Sequence, residues 1–263
     1  MSGNSGEKRG IIPQTRDRHL LEEFAVMLVM DREQAKIVAG FGSTTRANVR
    51  LLALTRAGLM RRFFLGSGGG RRALYALSPK GAQFVGVPLR GPRRPHNALL
   101  VADYFIGHQL AVNGIYCALK YGVITVPHVT FHRWLSFFEP VVPGIGLIPD
   151  GYVEFMIPTG IAASFIEVDL GHESQTIWKR KAESYLQMAL SGKYNERFLQ
   201  DRFRVLVLAN SERRLHSIRK TVALITQKIF WFATLESVAN DFFASVWFRP
   251  ADSKPTSLFD TTS

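Results

Sequence analysis

The hydrophobic positions of the first third of the chain recur with helical spacing. They predict three helices at residues 19–30, at 31–39 with Asp31 as the N-cap, and from Ser43 or Thr44 to Gly58. In the third helix, Ala47, Leu51 and Leu54 share one face, which predicts a core stripe. Two apolar runs, 59–65 and 71–78, flank a glycine-rich turn at 66–70. They predict a basic hairpin, because each arm carries a pair of arginines.

Beyond residue 97 the pattern alternates between helices and strands. It predicts a helix at 97–119, strands at 122–127, 152–157 and 161–169, a helix at 174–190, a strand at 203–209, a helix at 211–228 with Ser211 as its N-cap, and a strand at 229–235. The turn Pro158-Thr159-Gly160 joins two of these strands into a hairpin. Counting outward from Thr159 places Asp150 beside residues 167–169.

The charge is unevenly distributed along the 263 residues. The chain has 33 Lys+Arg and 21 Asp+Glu, a net +12. Residues 1–96 hold 17 basic and 6 acidic side chains (+11), whereas residues 97–263 hold 16 and 15 (+1). A basic segment of this kind is typical of a protein that meets a polyanion, most often nucleic acid.

Location and membrane association follow from two further features. The single cysteine, Cys117, excludes an internal disulfide and favours a reducing compartment. The N-terminal residues lack the apolar core of a signal peptide, and no apolar run is long enough to span a bilayer. These features predict a soluble cytoplasmic protein without membrane contact.

Asp150, Glu167 and Asp169 are expected at one end of the predicted hairpin. Glu167 and Asp169 are two residues apart, so both side chains point to the same face of their strand. Carboxylates this close repel one another unless a proton or cation neutralises them. We therefore predict that these three residues bind Mg²⁺ or Mn²⁺, which prefer oxygen ligands. The alternative is an acidic surface without a specific role.

The order of three helices followed by a basic hairpin resembles the winged-helix domain. The resemblance lies in 43–46, in 54–62 and in Ser78-Pro79-Lys80-Gly81, which closes the wing. It implies that the third helix enters the major groove and that the hairpin meets phosphates. The expected base readers are Thr44, Thr45, Arg46, Asn48 and Arg50, and the expected phosphate contacts are Arg61, Arg62, Arg71 and Arg72. The alternative is an ordinary solvated basic face.

The second half resembles the restriction-endonuclease-like fold in its element order, αβββαβ. Pro149-Asp150 and Glu167-Val168-Asp169 resemble the PD-(D/E)xK signature, except that Asp169 stands where the signature has lysine. Some members of that family supply the lysine from the following helix. Here Trp178, Lys181 and Tyr185 share a helical face, so Lys181 is expected to reach the carboxylates. The resemblance implies a catalytic set of Asp150, Glu167, Asp169 and Lys181.

The chain as a whole resembles the replication-relaxation family of plasmid and mobile-element proteins. The resemblance rests on 149–151, 165–173, Lys181-x-x-x-Tyr185, 205–208 and 211–214. It implies an α+β protein with a disordered N-terminus (1–16), a winged-helix domain (17–88), a basic linker (89–96), a restriction-endonuclease-like domain (97–250) and a disordered tail (251–263). The implied partner is double-stranded DNA, and a homodimer stays open. Two functions remain open: a metal-dependent nuclease, or a non-catalytic regulator of replication, transfer or transcription with a degenerate site.

Overall fold

The computed structural model describes residues 11–65, 72–91 and 100–259, with the side chains of residues 100–103 left out. The protein is mixed α/β, with one three-stranded and one five-stranded sheet in the described part of the chain. Contacts within the chain divide it after Cys117 into a first unit, 1–117, and a second unit, 118–263.

The first unit combines helices with a small antiparallel sheet. Its elements are α1 (Thr15–Met27), β1 (Val29–Asp31), α2 (Arg32–Val38), α3 (Thr44–Arg56), β2 (Met60–Leu65), β3 (Arg72–Leu77) and α4 (Pro79–Val85). The strand order is β1-β3-β2, with β3 antiparallel to both neighbours. The glycine-rich turn and Arg71 lie outside the described residues.

Local sequence signals account for most of these elements. The Asp31 side chain accepts a hydrogen bond from Gln34 N (2.8 Å) and caps α2, and the Ser43 hydroxyl accepts one from Arg46 N (3.3 Å) and caps α3. Both predicted caps are confirmed. The core stripe of α3, Ala47, Leu51 and Leu54, is fully buried as predicted.

The first helix differs from its prediction at both ends. It starts at Thr15 and stops at Met27, whereas residues 19–30 were expected. Val29–Asp31 instead pairs with β3, Val29 opposite Ala76. A strand of only three residues is too short for its hydrophobic pattern to distinguish it from the end of a helix.

Helix α5 (Leu100–Tyr121) packs mainly within the first unit. Asn113 Nδ2 donates to the Met27 and Val29 carbonyls (3.0 and 2.6 Å), and the Tyr116 hydroxyl donates to Glu23 Oε2 (2.6 Å). The sequence instead suggested that this helix opens the second domain. The domain limits given above stay a prediction, and residues 92–99, which include most of the expected linker, lie outside the described residues.

The second unit is built on a five-stranded sheet of order β4-β5-β6-β7-β8. Its elements are β4 (Thr130–Leu135), β5 (Gly151–Ile157), β6 (Gly160–Asp169), α6 (Gln175–Leu190), α7 (Lys193–Phe198), β7 (Arg204–Ala209), α8 (Glu212–Ala223), β8 (Phe230–Thr234) and α9 (Leu235–Asn240). β4, β5 and β6 form an antiparallel meander, and β6, β7 and β8 run parallel. The parallel strands end together, so residues after β6, β7 and β8 meet at one edge.

Helices α6 and α8 cover one face of this sheet. Trp178 and Tyr185 of α6 and Ile218 of α8 are buried in one core with Phe165 and Phe230 of the strands. On the other face the Phe155 ring contacts Phe243 and Phe259, with centroids 5.5 and 5.8 Å apart. The segment expected to be a disordered tail from residue 251 includes Leu258, which is buried.

The hairpin and most element bounds in this unit agree with the sequence to within about two residues. The prediction of a strand at 122–127 is wrong, because those residues have no strand pairing and the strand lies at Thr130–Leu135. That strand is at the sheet edge and partly exposed, so its sequence lacks a strong alternation. The predicted helix 211–228 ends at Ala223. None of the described helices is long and apolar enough to cross a membrane.

Candidate functional site

The hairpin β5–β6 places Asp150 opposite Glu167. Gly151 pairs with Ile166, and just before it Asp150 N donates to the Ile166 carbonyl (3.1 Å) while Asp150 Oδ2 accepts from Val168 N (2.8 Å). Gly151 is required here, because a Cβ would lie 2.1 Å from Cζ2 of Trp134. The Asp150 carboxylate is therefore fixed at the carboxyl end of β6.

Helix α6 presents two side chains to Glu167. Lys181 Nζ lies 2.8 Å from Glu167 Oε2, and the Tyr185 hydroxyl donates to Oε1 (2.7 Å). Lys181 and Tyr185 are four residues apart and share a helical face. The helix begins after Ser174, whose hydroxyl accepts from Ile177 N (3.3 Å). Glu167 is 1% exposed, so both of its oxygens have protein partners instead of bulk water.

Lys181 is shared with a second carboxylate. Its Nζ lies 2.7 Å from Glu173 Oε1 and 5.0 Å from the centroid of the Trp178 ring, over which it sits. Glu173 Oε2 is buried and has no hydrogen-bond partner among the described residues. We refer to Asp150, Glu167, Glu173 and Lys181 as the Glu167 cluster; it contains three carboxylates and one ammonium group.

The excess of carboxylates over ammonium groups in the Glu167 cluster shifts the pKa values of Glu167 and Lys181. Burial raises the pKa of Glu167 to about 7, with Asp150 and Glu173 adding to the rise and Lys181 opposing it. Burial alone would lower the pKa of Lys181, but Glu167, Asp150 and Glu173 outweigh it and raise that pKa above its ordinary value. Lys181 is therefore an ammonium cation at neutral pH and not a base.

Asp169 lies in different surroundings two residues further along β6. Its carboxylate accepts from Arg214 Nε (2.9 Å) and NH2 (2.7 Å), from Trp178 Nε1 (2.6 Å) and from Gly171 N (2.5 Å). The turn at Gly171 has φ +98°, a conformation that favours glycine. We refer to Asp169, Gly171, Trp178 and Arg214 as the Asp169 cluster. Burial would raise the pKa of Asp169, but the hydrogen bonds from Arg214, Trp178 and Gly171 hold it below its ordinary value.

These contacts bear on the expected metal. Within the described ranges, no group of three or more His, Cys, Asp or Glu side chains is arranged to hold a metal ion. Asp169 does not fit as a ligand, because its oxygens are occupied by Arg214, Trp178 and Gly171. The oxygens of Glu167 are also bonded, to Lys181 and Tyr185, but the Glu167 cluster has three carboxylates for one ammonium. Because of this surplus of negative charge, Asp150 and Glu167 fit Mg²⁺, which commonly takes one or two carboxylates and completes its shell with water and substrate phosphate.

Two members of these clusters had no assigned role from the sequence. Glu173 directly precedes the Ser174 N-cap, and its eight-residue separation from Lys181, about 12 Å along a helix, gave no signal of their contact. Arg214 stands in the first turn after β7, which is parallel to β6. Since parallel strands end at the same edge, an arginine there was a candidate partner for Asp169.

Most of the residues expected to contact DNA are exposed on the first unit. The exposed ones are Thr45, Arg46, Asn48, Arg61, Arg62 and Arg72, and Thr44 and Arg50 are partly buried. The guanidinium of Arg62 lies over the Phe64 ring, 5.2 Å from its centroid. Arg72 forms an ion pair with Asp31 while its side chain stays 55% exposed. Arg71 lies outside the described residues.

Arg50 is held by the protein itself. Its Nε donates to Asp17 Oδ1 (2.8 Å), its NH2 contacts Asp17 Oδ2, and the same NH2 donates to the Ile12 carbonyl (2.8 Å). Asp17 is fully buried, and although burial raises its pKa, the bonds from Arg50 and Gln14 bring it below its ordinary value. Arg50 therefore stabilises the packing of α3 against α1, which competes with its expected role as a base reader.

One known protein family matches the part of the chain that contains Asp150, Glu167 and Lys181. A model of the replication-relaxation family matches residues 25–199, more than half of the chain. The match includes the hairpin with Asp150 and Glu167 and the helix with Lys181. The chain belongs to the replication-relaxation family. Searches of curated proteins and of solved structures found no match.

Membership in the replication-relaxation family indicates a replication-related role of the plasmid or mobile-element type. The matched region ends before β7 and α8, so Arg214 lies beyond it. The Asp150, Glu167 and Lys181 arrangement lies within the region that defines the family.

Proposed function

We propose that this replication-relaxation protein binds duplex DNA through its first unit and cleaves it with a divalent metal ion through its second. The single observation that carries the catalytic part is the position of Lys181, whose ammonium lies 2.8 Å from Glu167 Oε2. This position supports Lys181 of α6 as a substitute for the lysine of the PD-(D/E)xK signature, whose place in the sequence is taken by Asp169. Burying this ammonium among carboxylates is costly for a purely structural contact, which favours a chemical role.

Three residues of the Glu167 cluster, together with Tyr185, have definite roles in this proposal. Asp150 and Glu167 would hold the ion, which supplies Lewis-acid stabilisation of the phosphodiester when bound. Because Lys181 is a cation at neutral pH, it would orient the attacking water and stabilise negative charge on the phosphate, without removing a proton. The Tyr185 hydroxyl keeps Glu167 in place from the opposite side.

The DNA-binding part rests on the charge and order of elements in the first unit. Helix α3 follows α2 after a short turn and precedes the β2–β3 hairpin, as in winged-helix domains. Arg46 and Asn48 of α3 and Arg61 and Arg62 of β2 are exposed. This arrangement supports insertion of α3 into the major groove with the hairpin against phosphates.

A second candidate function is that of a non-catalytic DNA-binding regulator. It is favoured by the ion pairs within the Glu167 cluster, where Lys181 already pairs with both Glu167 and Glu173. Such pairing neutralises part of the negative charge without a metal, as in a degenerate nuclease fold. The two candidates share the binding of DNA and differ only in cleavage.

Cleavage of supercoiled plasmid with Mg²⁺ or Mn²⁺ separates the two candidates. Lys181→Ala should reduce the rate by about 10²-fold or more while leaving DNA binding intact. Lys179→Ala is the matched control, because Lys179 is exposed on the same helix and should change the rate little. A wild-type protein that binds DNA but does not cut it with either metal would establish the regulator. Equal activity in the two lysine variants would contradict the role of Lys181.

DNA binding is tested by two arginines of the full chain. Arg46→Ala should weaken binding at a preferred site by about 1–3 kcal/mol and relax sequence preference. Arg61→Ala should weaken binding to all duplexes alike, and the slope of log K against log salt should become shallower by about one. Fluorescence anisotropy over a salt series measures both effects. Unchanged binding in both variants would exclude this surface of the first unit.

A further inference from the structure

The second unit contains a basic cleft at the end of the sheet opposite Asp150 and Glu167. It lies between the β5–β6 turn and the starts of β7 and β8, and its volume is about 1020 Å³. Four cationic side chains line it: Arg202, Arg204, Lys228 and Arg249. β6 runs from this cleft to Glu167, a rise of about 20 Å, so the cleft is separate from the Glu167 cluster.

The charge of the cleft is local. Residues 97–263 carry a net charge of only +1, yet the lining residues include four cations and one carboxylate, Asp201. That carboxylate accepts from Asn195 Nδ2 (2.8 Å). Arg202 and Lys228 are exposed and have no ion-pair partner within the described ranges. Four cations against one carboxylate give the cleft a positive potential, which attracts an anionic ligand.

Two of the cations are held in place by Trp231. The guanidinium groups of Arg204 and Arg249 lie over its ring, 5.2 and 4.9 Å from the centroid. Arg249 NH2 donates to the Gln227 carbonyl (3.2 Å), whereas Arg249 Nε is buried with no hydrogen-bond partner among the described residues. Fixing a guanidinium beforehand lowers the entropy cost of binding a phosphate.

We propose that this cleft binds single-stranded DNA through its phosphates. The cations lie on four segments around the cleft, the loop before β7, β7 itself, the loop before β8 and the segment after α9, so a flexible chain with several phosphates can contact more than one of them. The cleft is open, whereas small nucleotides are usually held in pockets that bury most of the ligand. A duplex is a wide rigid cylinder, but a single strand can lie in a basic groove. This site goes beyond the proposed binding of duplex DNA by the first unit.

The test uses the full chain and a fluorescein-labelled oligothymidylate of about 12 nucleotides, the length that a groove of this kind covers. The double variant Arg202→Gln/Lys228→Gln should lower its affinity by about tenfold or more. The slope of log K against log salt should become shallower by about 1.4, for two lost phosphate contacts. The control Arg213→Gln/Lys220→Gln removes the same charge from exposed positions of α8 and should stay within about twofold of wild type.

Three results would overturn the proposal. The first is that the wild type does not bind oligothymidylate. The second is that the cleft and control variants bind it with equal affinity. The third is that ATP binds in place of oligothymidylate and that Arg202→Gln/Lys228→Gln weakens the binding of ATP. A duplex of the same length is measured in parallel, and its affinity should be the same in the cleft and control variants. Failure of duplex binding would contradict the proposed function and leave the single-strand result to decide this site.

Discussion

Glu167 and Asp169 are two residues apart on the same face of β6, both almost fully buried, yet their pKa values shift in opposite directions. Burial and neighbouring carboxylates raise the pKa of Glu167 to about 7. In Asp169 the hydrogen bonds from Arg214, Trp178 and Gly171 outweigh burial and lower it. The Asp169 cluster is balanced in charge, whereas the Glu167 cluster has three carboxylates for one ammonium. A surplus of negative charge, and not burial alone, distinguishes a site that can take a cation from a structural ion pair.

The largest effect is expected from breaking the Asp169 cluster. Arg214→Met leaves a buried carboxylate without its bidentate partner and should lower the free energy of unfolding by about 3–5 kcal/mol. Urea denaturation measures it. Arg213→Met, at the exposed neighbouring position, should stay within about 0.5 kcal/mol of wild type.

The double variant Asp169→Asn/Arg214→Met tests whether Asp169 and Arg214 depend on one another for stability. It should be less destabilised than the sum of the two single variants by about 1 kcal/mol or more, because the charges are removed together. Additive effects would show that Asp169 and Arg214 do not depend on one another. The Asp169 cluster would then not be the balanced pair described above.

The pH dependence of stability should separate the two carboxylates. The folded pKa of Glu167, about 7, lies above its ordinary value of 4.5, so its contribution is present below pH 4.5 and is lost as the pH rises through 7. In metal-free buffer, Glu167→Gln should therefore gain up to about 3 kcal/mol relative to wild type between pH 4.5 and pH 8. Chemical denaturation over this range measures the difference.

Asp169 is the contrasting case in the same experiment. Its folded pKa is lowered, so its stabilising contribution is present above its ordinary pKa and is lost as the pH falls through the folded value. The advantage of wild type over Asp169→Asn should accordingly shrink in acid. Parallel curves for the two variants would mean that the two environments do not differ as described.

The sequence predicted the β5–β6 hairpin well, for a physical reason. Strand alternation and the Pro158-Thr159-Gly160 turn indicated the register, so Asp150 was expected beside residues 167–169, and the structure pairs the neighbouring Gly151 with Ile166. Helix starts were similarly local, because Ser174 and Ser211 cap the helices that follow them. In each case the interaction that decides the structure lies within a few residues.

The parts that could not be predicted depend on contacts distant in the sequence. Arg214 reaches Asp169 across 45 residues, and that pairing arises only once β7 lies parallel to β6 and α8 packs beside α6. Arg50 and Asp17 are 33 residues apart, and a helical pattern alone showed Arg50 as part of a presented face. Charge at a given position was visible in the sequence, but the partner that neutralises it was not.

Binding of Mn²⁺ by calorimetry at neutral pH tests the distinction between the two clusters most directly. Wild type should bind, Asp150→Asn and Glu167→Gln should not, and Asp169→Asn should bind within a few fold of wild type at a temperature where circular dichroism shows that it is folded. No binding by wild type would contradict the account. Loss of binding in folded Asp169→Asn as complete as in Glu167→Gln would also contradict it, because Asp169 would then be a ligand and not half of a structural pair.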